Sequence, residues 1–108
     1  MPYAVFLTTD AARDLEELYD YLAVHDAPGK AEHVLERIGE TFSSLSEYPE
    51  RGAYPKELLA LGIREYREVF FKPYRVIYQM MGDAVYVLLI ADGRRDMQTL
   101  LQRRLLKA

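Results

Sequence analysis

The chain has 108 residues, a formal net charge of −3 and a pI near 5.4. Proteins whose main task is to grip phosphate backbones rely on positive charge, so this balance disfavours a dedicated nucleic-acid-binding protein. The sequence has no cysteine, which excludes disulfides and thiolate metal sites and fits a cytoplasmic protein. The length suits one domain, expected over residues 1–108, and Met1–Phe6 has no basic and apolar run of the kind that makes a signal peptide or membrane anchor.

The first part of the chain is predicted to form a strand and two helices. Tyr3–Thr8 is predicted to be a short strand with apolar Tyr3, Val5 and Leu7 on one face. Asp10 is predicted to cap a helix that ends near His25-Asp26, and Pro28 stands early in a second helix, where its missing N–H costs nothing. Two helices joined by so short a loop pack as antiparallel neighbours. Their apolar stripes are Leu15, Leu18, Tyr19 and Leu22 in the first helix, and Ala31, Val34, Leu35, Ile38, Phe42 and Leu45 in the second.

The second part of the chain has the composition of strands. Three stretches rich in β-branched and aromatic residues are separated by turns at Lys72-Pro73 and Gly82-Asp83, which predicts a three-stranded antiparallel meander. The predicted strands are Ile63–Phe71, Tyr74–Met81 and Ala84–Ala91. The last of them is apolar on both faces, with Val85, Val87 and Leu89 together on one, so we expect it at the centre of the sheet. Asp96 is predicted to cap a final helix that runs to Leu105.

The predicted order is therefore β-α-α-β-β-β-α, an α+β fold in which a helical hairpin packs on one face of a small antiparallel sheet. The final helix is short and is expected to cover only part of the opposite face. The helical first part and the strand-rich second part also differ in charge. Acidic residues outnumber basic ones up to Leu61, and the balance turns positive from Gly62. Such a division predicts two surfaces with different partners.

Four stretches spread over nearly the whole chain carry a more specific signal. They are Leu7–Leu15, Tyr48–Gly52, Tyr74–Gln79 and Asp92–Asp96. In this order, with a Tyr-Arg-hydrophobic-hydrophobic-Tyr strand and an Arg-Arg turn, they resemble the ParE/RelE superfamily of toxins from bacterial type II toxin–antitoxin systems. The resemblance implies a growth-inhibiting toxin that a labile antitoxin wraps and silences.

The resemblance implies one of two activities. RelE-like members are ribosome-dependent ribonucleases that cut mRNA, whereas ParE-like members inhibit DNA gyrase and are not known as nucleases. RNA cleavage needs an acid or base for proton transfer and cations near the scissile phosphate. The residues at the matching positions therefore distinguish the two activities.

The matching positions favour the ParE side. Arg75 and Arg95 match the two arginines of RelE-like enzymes. The strand that carries paired lysines in those enzymes has Arg64 and Arg67 here, with Val69 where the second lysine is expected. No histidine follows His33 and no tyrosine follows Tyr86, so the acid or base expected near the C-terminus is missing. We therefore expect no catalytic residue and a protein-binding gyrase inhibitor that is not an enzyme. A ribosome-dependent mRNA endoribonuclease and a non-toxic, antitoxin-binding relic remain the alternatives.

Arginines are the candidate residues for binding the target or the antitoxin. The candidates are Arg67, Arg75, Arg94, Arg95, Arg103 and Arg104. Arg75 also has a structural interpretation, in which it satisfies carbonyl groups or pairs with Glu65. Arg94 and Arg95 precede the last helix and stand beside its positive end, where basic residues are mildly unfavourable, so their placement suggests a use.

The predicted partners are proteins. We expect a cognate antitoxin, held on the outer surface of the helical hairpin and an exposed sheet edge, and DNA gyrase as the target. No sequence-specific nucleic acid and no membrane are expected. His25 and His33 are not spaced as a metal pair, so neither a metal nor a cofactor is predicted.

Overall fold

The computed structural model describes residues 2–25 and 29–106. In chain order the elements are β1 (Ala4–Leu7), α1 (Thr9–His25), α2 (Lys30–Glu47), α3 (Lys56–Leu59), β2 (Arg67–Phe71), β3 (Tyr74–Met81), β4 (Ala84–Asp92) and α4 (Met97–Leu105). The predicted α+β order is confirmed, with the short helix α3 as an unpredicted addition. The predicted places of Asp26 and Pro28 lie outside the described residues.

The strands form one sheet in the order β1-β4-β3-β2. The predicted antiparallel meander of β2, β3 and β4 is confirmed. β1 joins β4 in parallel, with Ala4 opposite Ala84, so the whole sheet is mixed rather than purely antiparallel. The hairpin of α1 and α2 follows β1 directly, and its apolar stripe covers the face of the sheet that Val5 and Leu7 share.

Two apolar cores lie on opposite faces of the sheet. The hairpin side contains Leu22, Val34, Ile38 and Leu45 from the helices, packed on Val76, Tyr78, Val85 and Val87. On the other side Leu58 of α3 and Leu100 and Leu101 of α4 pack on Ile77, Leu89 and Ala91. β4 is central and covered on both faces, as predicted. Burying each large aliphatic side chain stabilises the fold by about 1.5–3 kcal/mol.

A β-bulge in β4 corrects one prediction. The pairing of β3 with β4 shifts between Ile77, which faces Leu89, and Tyr78, which faces Val87. Leu88 is therefore an extra residue without an opposite number, as in a bulge. Because of this insertion Leu89 turns to the α4 side, and the expectation that it shares a face with Val85 and Val87 is wrong.

The N-terminal caps of α1 and α4 can be compared with the predicted ones. Asp96 caps α4 as predicted, since its Oδ1 accepts from Thr99 N at 3.2 Å. Asp10 was predicted to cap α1, but Thr8 Oγ1 accepts from Ala11 N at 3.1 Å and is the cap. Asp10 instead lies in the first turn of α1, where a carboxylate favours the helix dipole. β2 begins at Arg67, four residues later than predicted.

Candidate functional site

Arg75 on β3 is enclosed by two glutamates. Its Nε donates to Glu68 Oε1 at 2.7 Å, and its Nη1 and Nη2 donate to the carboxylate of Glu57 at 2.8 Å each. Only 6% of Arg75 and 5% of Glu68 is exposed. Charge-assisted, bidentate bonds of this kind are the strong ones in proteins. The structural interpretation of Arg75 therefore describes its geometry, but its partners are Glu57 of α3 and Glu68 of β2 rather than Glu65.

The electrostatics of this triad follow from its geometry. Hydrogen bonds from Arg75 hold the pKa of Glu57 below its usual value. Burial raises the pKa of Glu68, and the bonds from Arg75 only partly offset that effect. The same bonds, first those with Glu57, raise the pKa of Arg75. One guanidinium shared by two carboxyl groups has no surplus positive charge to offer an anion.

A small cavity of about 290 Å³ borders the triad. The Phe70 ring lies beside it, with its centre 5.8 Å from the Arg75 guanidinium carbon. Gly93 packs so closely that an added Cβ would lie 3.0 Å from Arg75 Cδ. The glycine of the Asp-Gly-Arg-Arg-Asp stretch is thus explained by its contact with Arg75, a long-range contact that the sequence alone does not show.

Arg67 and Tyr78 hold the loop that carries the Tyr48–Gly52 stretch. Arg67 Nη1 donates to the Gly52 carbonyl at 2.9 Å. Tyr78 is fully buried; its hydroxyl donates to the Pro49 carbonyl at 2.6 Å and accepts from Gly52 N at 3.0 Å. Arg67 was a binding candidate, and the structure gives it a role within the protein. The hydrogen bonds of Tyr78 thus connect the Tyr48–Gly52 stretch with the Tyr74–Gln79 stretch.

Arg104 joins α4 to α1 and to the sheet. Its two Nη atoms donate to the Asp14 carboxylate at 3.0 and 2.9 Å, and Nη2 also donates to the Leu88 carbonyl at 3.0 Å. Asp14 Oδ2 in turn accepts from Ile90 N at 3.0 Å. β1 pairs with β4 only as far as Leu7 opposite Val87. The Asp14–Arg104 pair therefore satisfies backbone groups of β4 beyond the end of its neighbouring strand.

The remaining candidates face solvent. Arg94 has 80% of its side chain exposed and is held by Asp92, whose oxygens accept from Nε at 2.9 Å and from Nη2 at 2.6 Å. Arg95 and Arg103 are also exposed. Burial thus divides the predicted set into Arg67, Arg75 and Arg104, which bind other parts of the fold, and Arg94, Arg95 and Arg103, which do not point inward.

Arg94 and Arg95 line a cleft of about 1040 Å³, which we call the hairpin cleft. It lies between α1 and α2 on one side and the turns 71–74 and 91–95 on the other. Its walls combine residues far apart in the chain, such as Tyr21 with Arg94. Sequence reasoning found the two arginines but missed the cleft, because periodicity indicates which residues face inward and not where two elements stand apart.

The two histidines are far from forming a metal site. The ring of His25 packs against Tyr21, with 4.5 Å between ring centres, and His33 lines the hairpin cleft. Within residues 2–25 and 29–106, no three histidine, cysteine, aspartate or glutamate side chains are placed to hold a metal ion together. Of the helices that the structure describes, none has the length and apolar character needed to cross a membrane.

Known proteins resemble this chain in sequence. The model of a family described as "ParE toxin of type II toxin-antitoxin system, parDE" matches residues 5–97. Toxin ParE3 of Caulobacter vibrioides is 28% identical over 100 residues, which span 93% of this chain and 96% of that protein.

Solved structures resemble it in fold. A chromosomal ParDE toxin–antitoxin system from P. aeruginosa matches with a TM-score of 0.69 and 25% identity, over 83% of this chain and 95% of the other. The toxin–antitoxin complex RelBE2 from Mycobacterium tuberculosis matches with a TM-score of 0.56 and 26% identity, over 85% and 92%. A mutant of E. coli toxin RelE in the free state, with a TM-score of 0.54 and 18% identity over 97% and 100%, shares the fold.

Proposed function

The chain belongs to the ParE toxin family of type II toxin–antitoxin systems, and from this premise we propose that it arrests growth by binding DNA gyrase. In this proposal the chain acts as a protein-binding inhibitor and not as an enzyme. A cognate antitoxin neutralises it by covering its binding surface. The resemblance to ParE-like toxins supplies the target, and the arrangement of arginines supports the mode of action.

The observation that carries the proposal is the burial of Arg75 between Glu57 and Glu68. A ribonuclease needs cations that can reach the scissile phosphate as charge develops on it. Arg75, which matches one of those cations, is 6% exposed and already bound by two carboxyl groups. Turning it outward would leave both carboxyl groups without their cation, and breaking such a buried pair costs about 3–5 kcal/mol.

Arg67 is likewise engaged by a loop carbonyl. Of the two arginines that match arginines of RelE-like enzymes, Arg95 is the exposed one. A single exposed arginine next to Arg94 suits an interface anchor, because arginine is enriched among residues that dominate protein–protein binding. We therefore assign the target contact to the turn that holds Arg94 and Arg95, with Arg103 on the neighbouring helix as a further contact.

The antitoxin is proposed on two grounds. The solved relatives include toxin–antitoxin complexes by their own descriptions. This chain also exposes large apolar side chains, with Phe6, Phe70 and Met81 each at least half exposed. Apolar patches on a small protein commonly mark a protein-binding surface, and an antitoxin helix or extended segment can cover them. We expect the chain to be poorly soluble alone and well behaved in the complex.

Two assays with purified protein test the proposal. In a supercoiling reaction with DNA gyrase, we expect the toxin to block the enzyme. In a purified translation system, we expect mRNA to stay intact. If mRNA is cleaved at ribosomes while gyrase still supercoils DNA normally, the ribonuclease alternative is right. Normal growth on induced expression of the correctly folded chain would identify a non-toxic relic.

A further inference from the structure

We propose that the hairpin cleft is a docking site for an acidic segment of the antitoxin, which places a bulky apolar side chain on the cleft floor and carboxylates against its basic rim. The inference rests on the proposed function, because it assigns a site to the antitoxin named there. It goes beyond that function by defining the chemistry of the segment. It also links neutralisation to the turn that carries Arg94 and Arg95.

The size of the cleft fits a stretch of polypeptide. Its volume of about 1040 Å³ is at or above the upper end of the roughly 300–1,000 Å³ typical of small-molecule pockets. The floor is apolar; Leu22, Val34, Tyr74 and Ile90 line it and are buried parts of the hairpin core. Tyr21 on the α1 wall is 60% exposed. An exposed aromatic wall above an apolar floor can hold a large side chain of a partner.

The charge of the rim is opposite to that of the protein. The cationic side chains around the cleft are Lys30, Lys72, Arg94 and Arg95, and the carboxylates are Asp14, Glu17 and Asp92. Asp14 is already bound by Arg104. By formal charge the cleft has four cationic side chains against three carboxylates, in a chain whose formal net charge is −3. Complementary charge fixes orientation and speeds association, so this rim selects an acidic segment.

Arg94 stands over the cleft in a fixed orientation. Asp92 accepts from its Nε and Nη2, and 80% of its side chain stays exposed. The hydrogen bonds with Asp92 raise the pKa of Arg94. A guanidinium has five N–H donors. Arg94 can therefore donate to a second carboxylate, from a partner, without releasing Asp92.

The same features disfavour a nucleic acid as the occupant. Phosphate binding would gain from the cations, but Glu17 and Asp92 on the same cleft oppose a continuous line of phosphates. A nucleic acid also offers no aliphatic side chain for the apolar floor. A protein segment that alternates carboxylates with large apolar residues satisfies both the rim and the floor.

Binding measurements with the antitoxin encoded next to the toxin gene test the inference. Calorimetry should show that the cleft variant Lys72→Glu/Arg95→Glu binds roughly 10- to 100-fold more weakly than the parent, because like charges would then face each other. The matched control Arg51→Glu/Arg64→Glu makes the same change in net charge, at exposed arginines that are not among the cleft-lining residues. It should bind like the parent.

A second pair of variants tests the apolar contact. Tyr21→Ala removes the exposed aromatic wall and should weaken binding, whereas Tyr48→Ala removes a ring that is 68% exposed elsewhere and should not. Thermal melting of each free variant shows whether it is folded. Parent-like binding by both folded cleft variants would overturn the cleft assignment while leaving the antitoxin in place. A parent that binds no antitoxin would refute the proposed partner itself.

The remaining outcomes identify other occupants. A labelled single-stranded oligonucleotide that binds the parent and is lost on Lys72→Glu/Arg95→Glu would mean that the cleft binds nucleic acid. A free toxin that is a dimer by light scattering, and monomeric in the same variant, would mean that a second copy fills the cleft. Either result would overturn the proposal.

Discussion

At the scale of single residues, Arg75 and Arg94 show how the same side chain takes different roles. Both pair with carboxylates, but Arg75 is 6% exposed and its partners come from two other elements, whereas Arg94 is paired with Asp92 two residues away and is mostly exposed. An exposed ion pair contributes about 0–1 kcal/mol, while breaking a buried one is strongly destabilising. Arg75 therefore belongs to the fold, and Arg94 is available for binding.

Replacing Arg75 by alanine should lower the free energy of unfolding by about 3–5 kcal/mol, because Glu57 and Glu68 would lose the cation that bridges them. The exposed Arg95→Ala should change it by about 0.5 kcal/mol or less. Urea unfolding of both variants gives the comparison. Equal stability of Arg75→Ala and the parent would mean that the guanidinium is not held as described, and the argument against phosphate binding would be lost.

Acid should reveal the role of Glu57. Hydrogen bonds from Arg75 hold the pKa of Glu57 below the usual 4.5. The stability that ionised Glu57 contributes is therefore present above that value and is lost as the pH falls through the lowered pKa. Glu68 acts in the opposite sense, since its pKa is raised and its protonation is favoured in the folded protein. Unfolding measured between neutral and acid pH should thus show a flatter acid decline for Glu57→Gln than for the parent. Parallel curves would contradict this.

At the scale of elements, side chains bond to backbone groups of β4 that its neighbour β1 does not reach. On its β1 side, β4 has no strand neighbour beyond Val87, and Asp14 and Arg104 bond to Ile90 N and the Leu88 carbonyl there. These bonds also attach α4 to α1. The short final helix is therefore held by an ion pair to α1 and a hydrogen bond to β4, as well as by the apolar contacts of Leu100 and Leu101.

Replacing Arg104 by methionine should destabilise the fold by about 1–3 kcal/mol, because the Leu88 carbonyl and Asp14 lose their donor. Amide hydrogen exchange in α4 should become faster. Arg103→Met, the exposed neighbour on the same helix, is the control and should stay within about 0.5 kcal/mol of the parent. Unchanged exchange in α4 of the Arg104 variant would show that apolar packing alone holds the helix.

Replacing either of two glycines by alanine should change the stability in opposite directions. A Cβ at Gly52 would lie 2.5 Å from Tyr78 Oη and 2.6 Å from the Glu68 carbonyl oxygen, so Gly52→Ala should cost about 1–3 kcal/mol. Gly39 lies inside α2 with nothing within 4 Å of an added Cβ, and Gly39→Ala should stabilise the helix by about 0.5–1 kcal/mol. Melting temperatures should move in opposite directions. A Gly52 variant that melts like the parent would contradict the close approach to Tyr78.

The sequence predicts the elements better than their contacts. Apolar periodicity places the hairpin and the meander correctly, because each pattern repeats within one element. The bulge at Leu88 and the bond from Thr8 to Ala11 N depend on single local choices, and periodicity does not specify them. The partners of Arg75 come from α3 and β2, which the sequence does not bring together. The candidate arginines could therefore be named, but their division into buried and exposed could not.

At the scale of the whole molecule, an acidic protein presents a cleft with a basic rim. Helices α1 and α2 carry most of the acidic residues, and the turn after β4 supplies Arg94 and Arg95 at the cleft. The fold is shared with a RelE mutant. In this chain Arg75 on β3 is bound by Glu57 and Glu68. The turn at the cleft therefore presents exposed arginines, whereas Arg75 is buried.

The central claim is that this exposed turn, and not the buried arginine, carries toxicity. Growth on induced expression of Arg94→Ala/Arg95→Ala, measured together with thermal melting of the purified variant, tests it most directly. We predict a loss of stability of about 1 kcal/mol or less, since both side chains are exposed, and a sharp fall in toxicity. A variant that melts normally and still arrests growth like the parent would contradict the claim.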